Sequence, residues 1–167
     1  GGCSMDSPYM QYCNGNNFNP SWGYPASPDH GNSWWNHDIR GLFNRLGAAM
    51  NFSSASDGLS NTIMVGESLP QQHDHLNWGA WWHFNGGNSH CSTIIPINYQ
   101  TPDNGCGTAA KPGNGNWSYS WGFKSRHSGG ANFLFGDGAV RFLRDSIDHK
   151  TYQLLGCRND GQPTQIP

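Results

Sequence analysis

Residues 130–143 read Gly-Ala-Asn-Phe-Leu-Phe-Gly-Asp-Gly-Ala-Val-Arg-Phe-Leu, two apolar runs around Gly136-Asp137-Gly138. Apolar runs bounded by such residues read as two strands joined by a tight turn. Glycine reaches positive φ there, and an aspartate side chain bonds the backbone of its own turn. Asp137 and Gly138 are therefore expected to shape the turn. Nine residues separate His127 from Asp137. At about 3.3 Å of rise per strand residue, the two lie roughly 25–30 Å apart along the chain. His127 and Asp137 are not a local catalytic pair.

A chain of 167 residues supports one domain with one core. Only 12% of its residues are charged, about half the usual fraction. Glycine (23) and asparagine (18) make up about a quarter of the chain, which favours turns over helices. Eight tryptophans and 13% aromatics oppose disorder, because each such ring buries a large area. A net charge of −2 with no basic stripe excludes nucleic acid as a partner. No apolar run approaches the ~18–20 residues of a membrane span. No signal peptide is visible, so a mature or trimmed product is expected.

The expected fold is mainly β, an α+β domain with little helix. Residues 1–36 form a loop-rich N-terminal segment. Within 37–69, Asp38 to Leu46 fits either a helix, with Asp38 as cap and Gly47 as stop, or a strand near Gly41–Phe43. Thr62 to Val65 reads as a buried strand. Residues 70–122 form a long aromatic, Gly/Asn-rich excursion, and loops of that length are usually functional or stapled. Residues 123–158 hold the hairpin and a short terminal helix, capped by Asp148 and stopped by Gly156. An extended or disordered tail follows.

The five cysteines form no Cys-x-x-Cys pair, so disulfides of an exported protein are the better reading. Cys3–Cys13 and Cys91–Cys106 would each staple a loop and leave Cys157 over. Among eight histidines, His73, His75 and His83 cluster in one window with His90. His73 and His75 would share a strand face and suit a transition metal, or else sit as exposed loop residues. Glu67 follows an apolar strand and needs a partner if partly buried. Arg126, His127 or Arg141 are the candidates, in a structural ion-pair or hydrogen-bond network. Trp78, Trp81, Trp82, Trp117 and Trp121 either fill an irregular core or present a platform for polysaccharide. No nucleophile elbow, phosphate loop or dinucleotide fingerprint is present. An enzymatic alternative is a polysaccharide hydrolase using Glu67 and Asp137, which would have to lie about 5–9.5 Å apart.

Two signatures in order carry a resemblance. Ser56-Asp57-Gly58-Leu59-Ser60-Asn61-Thr62 is followed by an apolar strand and Gly66-Glu67, and the span from His127 to Asp137-Gly138 comes later, followed by Arg144 to Asp148. Over roughly residues 38–158 the chain resembles the H-X9-DG prepilin-like (DUF1559) family, abundant in planctomycete bacteria. Members carry a basic leader and a long apolar helix ahead of the globular part. Gly1-Gly2-Cys3 opens with neither, so the resemblance is to the C-terminal globular part. It implies a pseudopilin-like antiparallel sheet with long stapled loops, and an extracellular surface protein in a filament or secretion-related assembly of protein subunits. The two motifs would form the sheet core, leaving residues 70–122 to present a partner or ligand face. Pseudopilins as a class include calcium-binding members, and Ca²⁺ favours an oxygen set such as Asp57, Asn61, Glu67 and Asp137. The competing expectation for those residues, with Gly58 and Ser60, is local turn architecture.

Overall fold

The computed structural model describes residues 34–44, 46–78, 90–103, 105–108, 110–162, 164 and 166. In chain order the regular elements are β1 (Ile63–Gly66), β2 (Gly107–Thr108), β3 (Lys111–Pro112), α1 (Trp117–Ser120), β4 (Gly130–Phe135), β5 (Val140–Arg144) and α2 (His149–Leu155). Short 3-10 turns join them. The main sheet has the order β1-β4-β5 and is antiparallel throughout.

The hairpin forms where its turn chemistry places it. The Gly138 amide donates to the Phe135 carbonyl at 3.0 Å, and the Phe135 amide to the Ala139 carbonyl at 2.9 Å. Gly138 takes the left-handed φ of 88° that closes such a three-residue loop. Asp137 Oδ1 accepts from the Ala139 amide at 2.9 Å. β1 then pairs with β4, Ile63 opposite Phe135 and Gly66 opposite Phe133, with a register break between Ile63 and Val65.

Strand alternation divides the sheet. Ala131, Phe133, Phe135 and Leu143 face a core shared with Ile63, Ile97, Phe123, Tyr152 and Leu155. Phe133 meets Phe123 and Tyr152 edge to face, with centroids 5.2 and 5.9 Å apart, the arrangement aromatic quadrupoles favour. A Cβ on Gly66 would come within 2.6 Å of Phe123 and 2.7 Å of Phe133, so only glycine lets β1 lie against both rings. On the other face Val65, Val140 and Phe142 are exposed. Below the sheet α2 brings in Tyr152 and Leu155. Its cap is Asp148, whose carboxylate accepts from the Thr151 amide at 2.8 Å and hydroxyl at 2.9 Å. Gly156 ends it.

Several expectations need correction. Neither a helix nor a strand forms over 38–46: among the described residues only the turn Asn36–Asp38 is regular. Ile39 and Leu42 are buried but Phe43 is exposed. The Ile39 carbonyl accepts from the Arg158 side chain instead of from a helical turn, and the Asn36 carbonyl accepts from that side chain as well as from the Ile39 amide. The Cys91–Cys106 staple is not made. Cys91 and Cys157 are free thiols, and Cys106 is disulfide-bonded to neither. Cys3 and Cys13 lie outside the described residues. The described part of the 70–122 excursion is packed, with Ile94, Ile95 and Ile97 buried. Near the C-terminal end, where an extended or disordered tail is expected, the irregular chain packs Ile166 on the core. No helix among the described residues is long and apolar enough to cross a membrane.

Candidate functional site

Glu67 is the residue where the two signatures meet. It follows β1 directly, and its carbonyl accepts from the Lys124 amide at 2.9 Å, which fixes the backbone. Its Oε2 accepts from the Asn132 amide at 2.7 Å, and from Asn132 Nδ2 at 3.4 Å. Its Oε1 lies 3.1 Å from His127 Nε2. The Ser125 hydroxyl is a further hydrogen-bond partner, and the His127 amide donates to Ser125 Oγ at 3.0 Å. Asn98 sets that loop from behind, at a φ of 61°. Its Oδ1 accepts from the Ser125 amide at 2.7 Å and its Nδ2 donates to the Gly130 carbonyl at 3.2 Å.

The partial burial of Glu67 raises its pKa, but the Asn132 amide, the Ser125 hydroxyl and the His127 ring outweigh that and hold it below the ordinary range. A carboxylate held this way is a fastener. The ring that faces it is exposed, with Phe142 edge-on at 6.5 Å. Of the three partners expected for Glu67, the structure brings in His127. Arg141 instead lies over the Phe135 ring, 4.8 Å from its centroid, and 3.7 Å from Asp137.

Asp137 sits at the opposite end of β4. Four residues separate it from Asn132, and it lies in the turn beyond Phe135, at the other end of the strand from the Glu67 carboxylate.

The first signature makes a second joint. Asp57 Oδ2 accepts from the Asp160 amide at 2.6 Å and Oδ1 from the Gly161 amide at 3.0 Å. Gly58 takes φ 94°, Asn61 Nδ2 donates to the Asp57 carbonyl at 2.9 Å, and Thr62 Oγ1 to the Gly58 carbonyl at 3.1 Å. Ser60 is exposed on the turn. Beside this loop lies Arg158, which sequence reasoning missed. It is buried, and its guanidinium donates to the carbonyls of Ile39 and Asn36 (2.9 Å) and to Ser54 Oγ (3.1 Å). Its backbone closes the joint, the amide donating to the Arg40 carbonyl and the carbonyl accepting from the Asp57 amide. Burial, then the nearby charge of Arg40, lowers its pKa.

The histidine–tryptophan window turns inward. His73 is fully buried and stacks on Trp121, centroids 5.9 Å apart and planes 6° from parallel. Its Nε2 donates to the His90 carbonyl at 2.9 Å, while Nδ1 accepts from the His75 amide at 3.2 Å. Both ring nitrogens have backbone partners, and the ring sits in the core. Burial pushes its pKa down to about 4, helped by the charges of Lys124, His75 and His90 and opposed by the His90 hydrogen bond. His75 Nε2 lies 3.5 Å from Asp74 Oδ2, and Asp74 Oδ1 accepts from Trp121 Nε1.

Trp121 is buried and Trp117 half-buried beside it at 6.1 Å. Of the two alternatives for the tryptophans, these two follow core filling. Trp81, Trp82 and His83 lie outside the described residues, as does the side chain of Trp78. Lys124 is also buried, donating to the Ser120 and Gly122 carbonyls at 2.8 and 3.2 Å. Burial pushes its pKa down to about 8, opposed by Cys91 and Asp74. Burial raises that of the Cys91 thiol. Among the described residues no group of three or more His, Cys, Asp and Glu is arranged to hold a metal ion.

These features define a small α+β domain on an antiparallel sheet, whose signature residues fasten segments distant in sequence. A family model described as "Protein of unknown function (DUF1559)" matches residues 2–150, and the chain belongs to that family. No curated protein and no solved structure matches it.

Proposed function

We propose that this chain is the globular part of an extracellular, prepilin- or pseudopilin-like protein, acting at the cell surface as a structural or interaction module among protein subunits. The observation that supports this most is how the signature residues are used. Asp57, Asn61, Glu67, His127 and Asp137 bond to the chain's own backbone or to each other. The disulfide at Cys106 fits an oxidising compartment. Protease treatment of intact host cells tests the location. An external domain is degraded while a cytoplasmic marker survives, and protection until lysis overturns the reading.

Polysaccharide binding is the second reading, favoured by Trp34 and Trp35, which are 70% and 66% exposed. Trp35 has the His37 ring stacked beside it, centroids 6.4 Å apart, and exposed indoles suit stacking on sugar rings. Electrophoresis through gels cast with soluble glycans should show retardation that Trp34→Ala and Trp35→Ala abolish. Unchanged mobility of the parent across the glycan panel removes this reading.

A further inference from the structure

The sheet of described residues has two edges, and they are built differently. The β1 edge carries the register break between Ile63 and Val65, a device that blunts a strand's capacity to pair further. β5 pairs with β4 without interruption from Leu134–Val140 to Gly130–Arg144. The hydrogen bonds from Phe135 N to Ala139 O and from Asp145 N to Gly129 O bracket that ladder. Antiparallel pairing alternates every second residue, so the amides and carbonyls of Arg141 and Leu143 face β4. Those of Val140, Phe142 and Arg144 face away from it. The same stretch exposes apolar side chains, Val140 at 67% and Phe142 at 46%.

We propose that this edge is self-pairing: two copies of the chain join β5 to β5, antiparallel, about a two-fold axis through Phe142. The register follows from the outward backbone groups. Centring on Phe142 sets Phe142 against Phe142 and Val140 against Arg144 of the second copy, so every outward-facing residue meets another outward-facing residue. The Arg144 carbonyl already accepts from the Ile147 amide at 3.1 Å, and a carbonyl oxygen has a second lone pair for Val140.

Charge selects the same register. Centring on Arg141 would set two guanidinium groups directly opposite, which destabilises a cross-strand pair. Centring on Leu143 would leave only residues 142–144 of each β5 in the pairing. With Phe142 at the axis, Arg141 faces Leu143 and Arg144 faces Val140, and all five strand residues take part. The outcome is a continuous six-stranded sheet in which the exposed row Val65, Val140, Phe142 runs on into its symmetry mate. This pairing stands independently of the cell-surface role proposed above.

Sedimentation velocity on the purified chain tests it, together with two variants at one exposed site. Lysine at 140 would lie opposite Arg144 of the second copy, and glutamate at 140 would form an ion pair there. Val140→Lys should weaken dimerisation and Val140→Glu should tighten it, each by about twofold to thirtyfold from two symmetric cross-strand pairs. As a second arm, Phe142→Lys and Phe142→Glu should each be monomeric alone and form a heterodimer when mixed. Circular dichroism confirms that the variants are folded. A parent that stays monomeric up to about 1 mM, or a dimer whose affinity shifts the same way or not at all with the two charges at 140, overturns the proposal.

Discussion

The Arg158 joint and the Glu67 joint each use one charged side chain to gather groups from segments distant in the chain. Arg158 does so out of water, 3% exposed, with carbonyls from residues more than a hundred positions earlier. Glu67 does so at the surface, with side-chain exposures of 36% for itself and 57% for His127. A hydrogen bond to a charge is electrostatically stronger at low dielectric, and a group left without it there has no water to replace it. The two joints share a chemistry and differ in what their loss would cost. The buried one fastens the N-terminal described segment to the C-terminal end, and the exposed one trims the sheet edge.

The sharpest way to break this contrast is Arg158→Ala. It should cost about 3 kcal/mol or more, since several charge-assisted bonds vanish and buried carbonyls are left without donors. The denaturant midpoint should fall with its slope unchanged, and Arg158→Lys should not restore it, because one ammonium lacks the guanidinium fork. A cost below that of removing His127 would invert the comparison.

Next in size is a pH effect from another buried group, His73. Its folded pKa is depressed to about 4 from 6.5, so between those values the unfolded chain binds the extra proton. Stability should be lost as pH falls from 6.5 towards 4, by about 3 kcal/mol in all. His73→Gln should flatten the slope in that window, as read by chemical denaturation at a series of pH values.

Asp57→Ala removes the acceptor for the Asp160 and Gly161 amides and should cost about 1–2 kcal/mol. Faster hydrogen exchange confined to those two amides would report it.

The smallest effect belongs to the exposed joint. His127→Ala should lower stability by only about 0.2–1 kcal/mol, and less in high salt. The folded pKa of Glu67 is lowered, so its contribution is present above the ordinary 4.5 and lost as pH falls through the folded value. Thermal midpoints of the parent and Glu67→Gln should accordingly converge in acid.

What could be read from the sequence was local. Gly136-Asp137-Gly138 dictates its own turn, and Asp148 with Gly156 brackets its own helix, so both elements sit where their residues require. The need of Glu67 for a partner was legible as well, because a carboxylate after an apolar strand is not left bare. What stayed hidden depends on residues far apart in the chain. Nothing near Arg158 announces that it serves Asn36 and Ile39. The Ile39 carbonyl, which a helix would give to the residue four further on, is held by it, while the Asn36 carbonyl also closes the short turn to the Ile39 amide. The sequence leaves Trp121 between core filler and platform, and His73 between metal ligand and exposed loop residue, because their types are amphipathic or polar. Burial became visible only once each ring had the other to stack on and both His73 nitrogens had backbone partners. Lys124 gave no signal at all, since its ammonium is satisfied by carbonyls of its own preceding turn.

The position of Arg158 near the C-terminal end has a consequence for how the chain comes together. Synthesis proceeds from the other end, so the backbone at residues 36–40 emerges long before the donor that secures it. The hairpin and its helix are local and can assemble early, whereas this closure must span most of the polypeptide and should come late. The first described segment therefore waits for residue 158, and any truncation upstream of that residue would leave the opening stretch without its clasp.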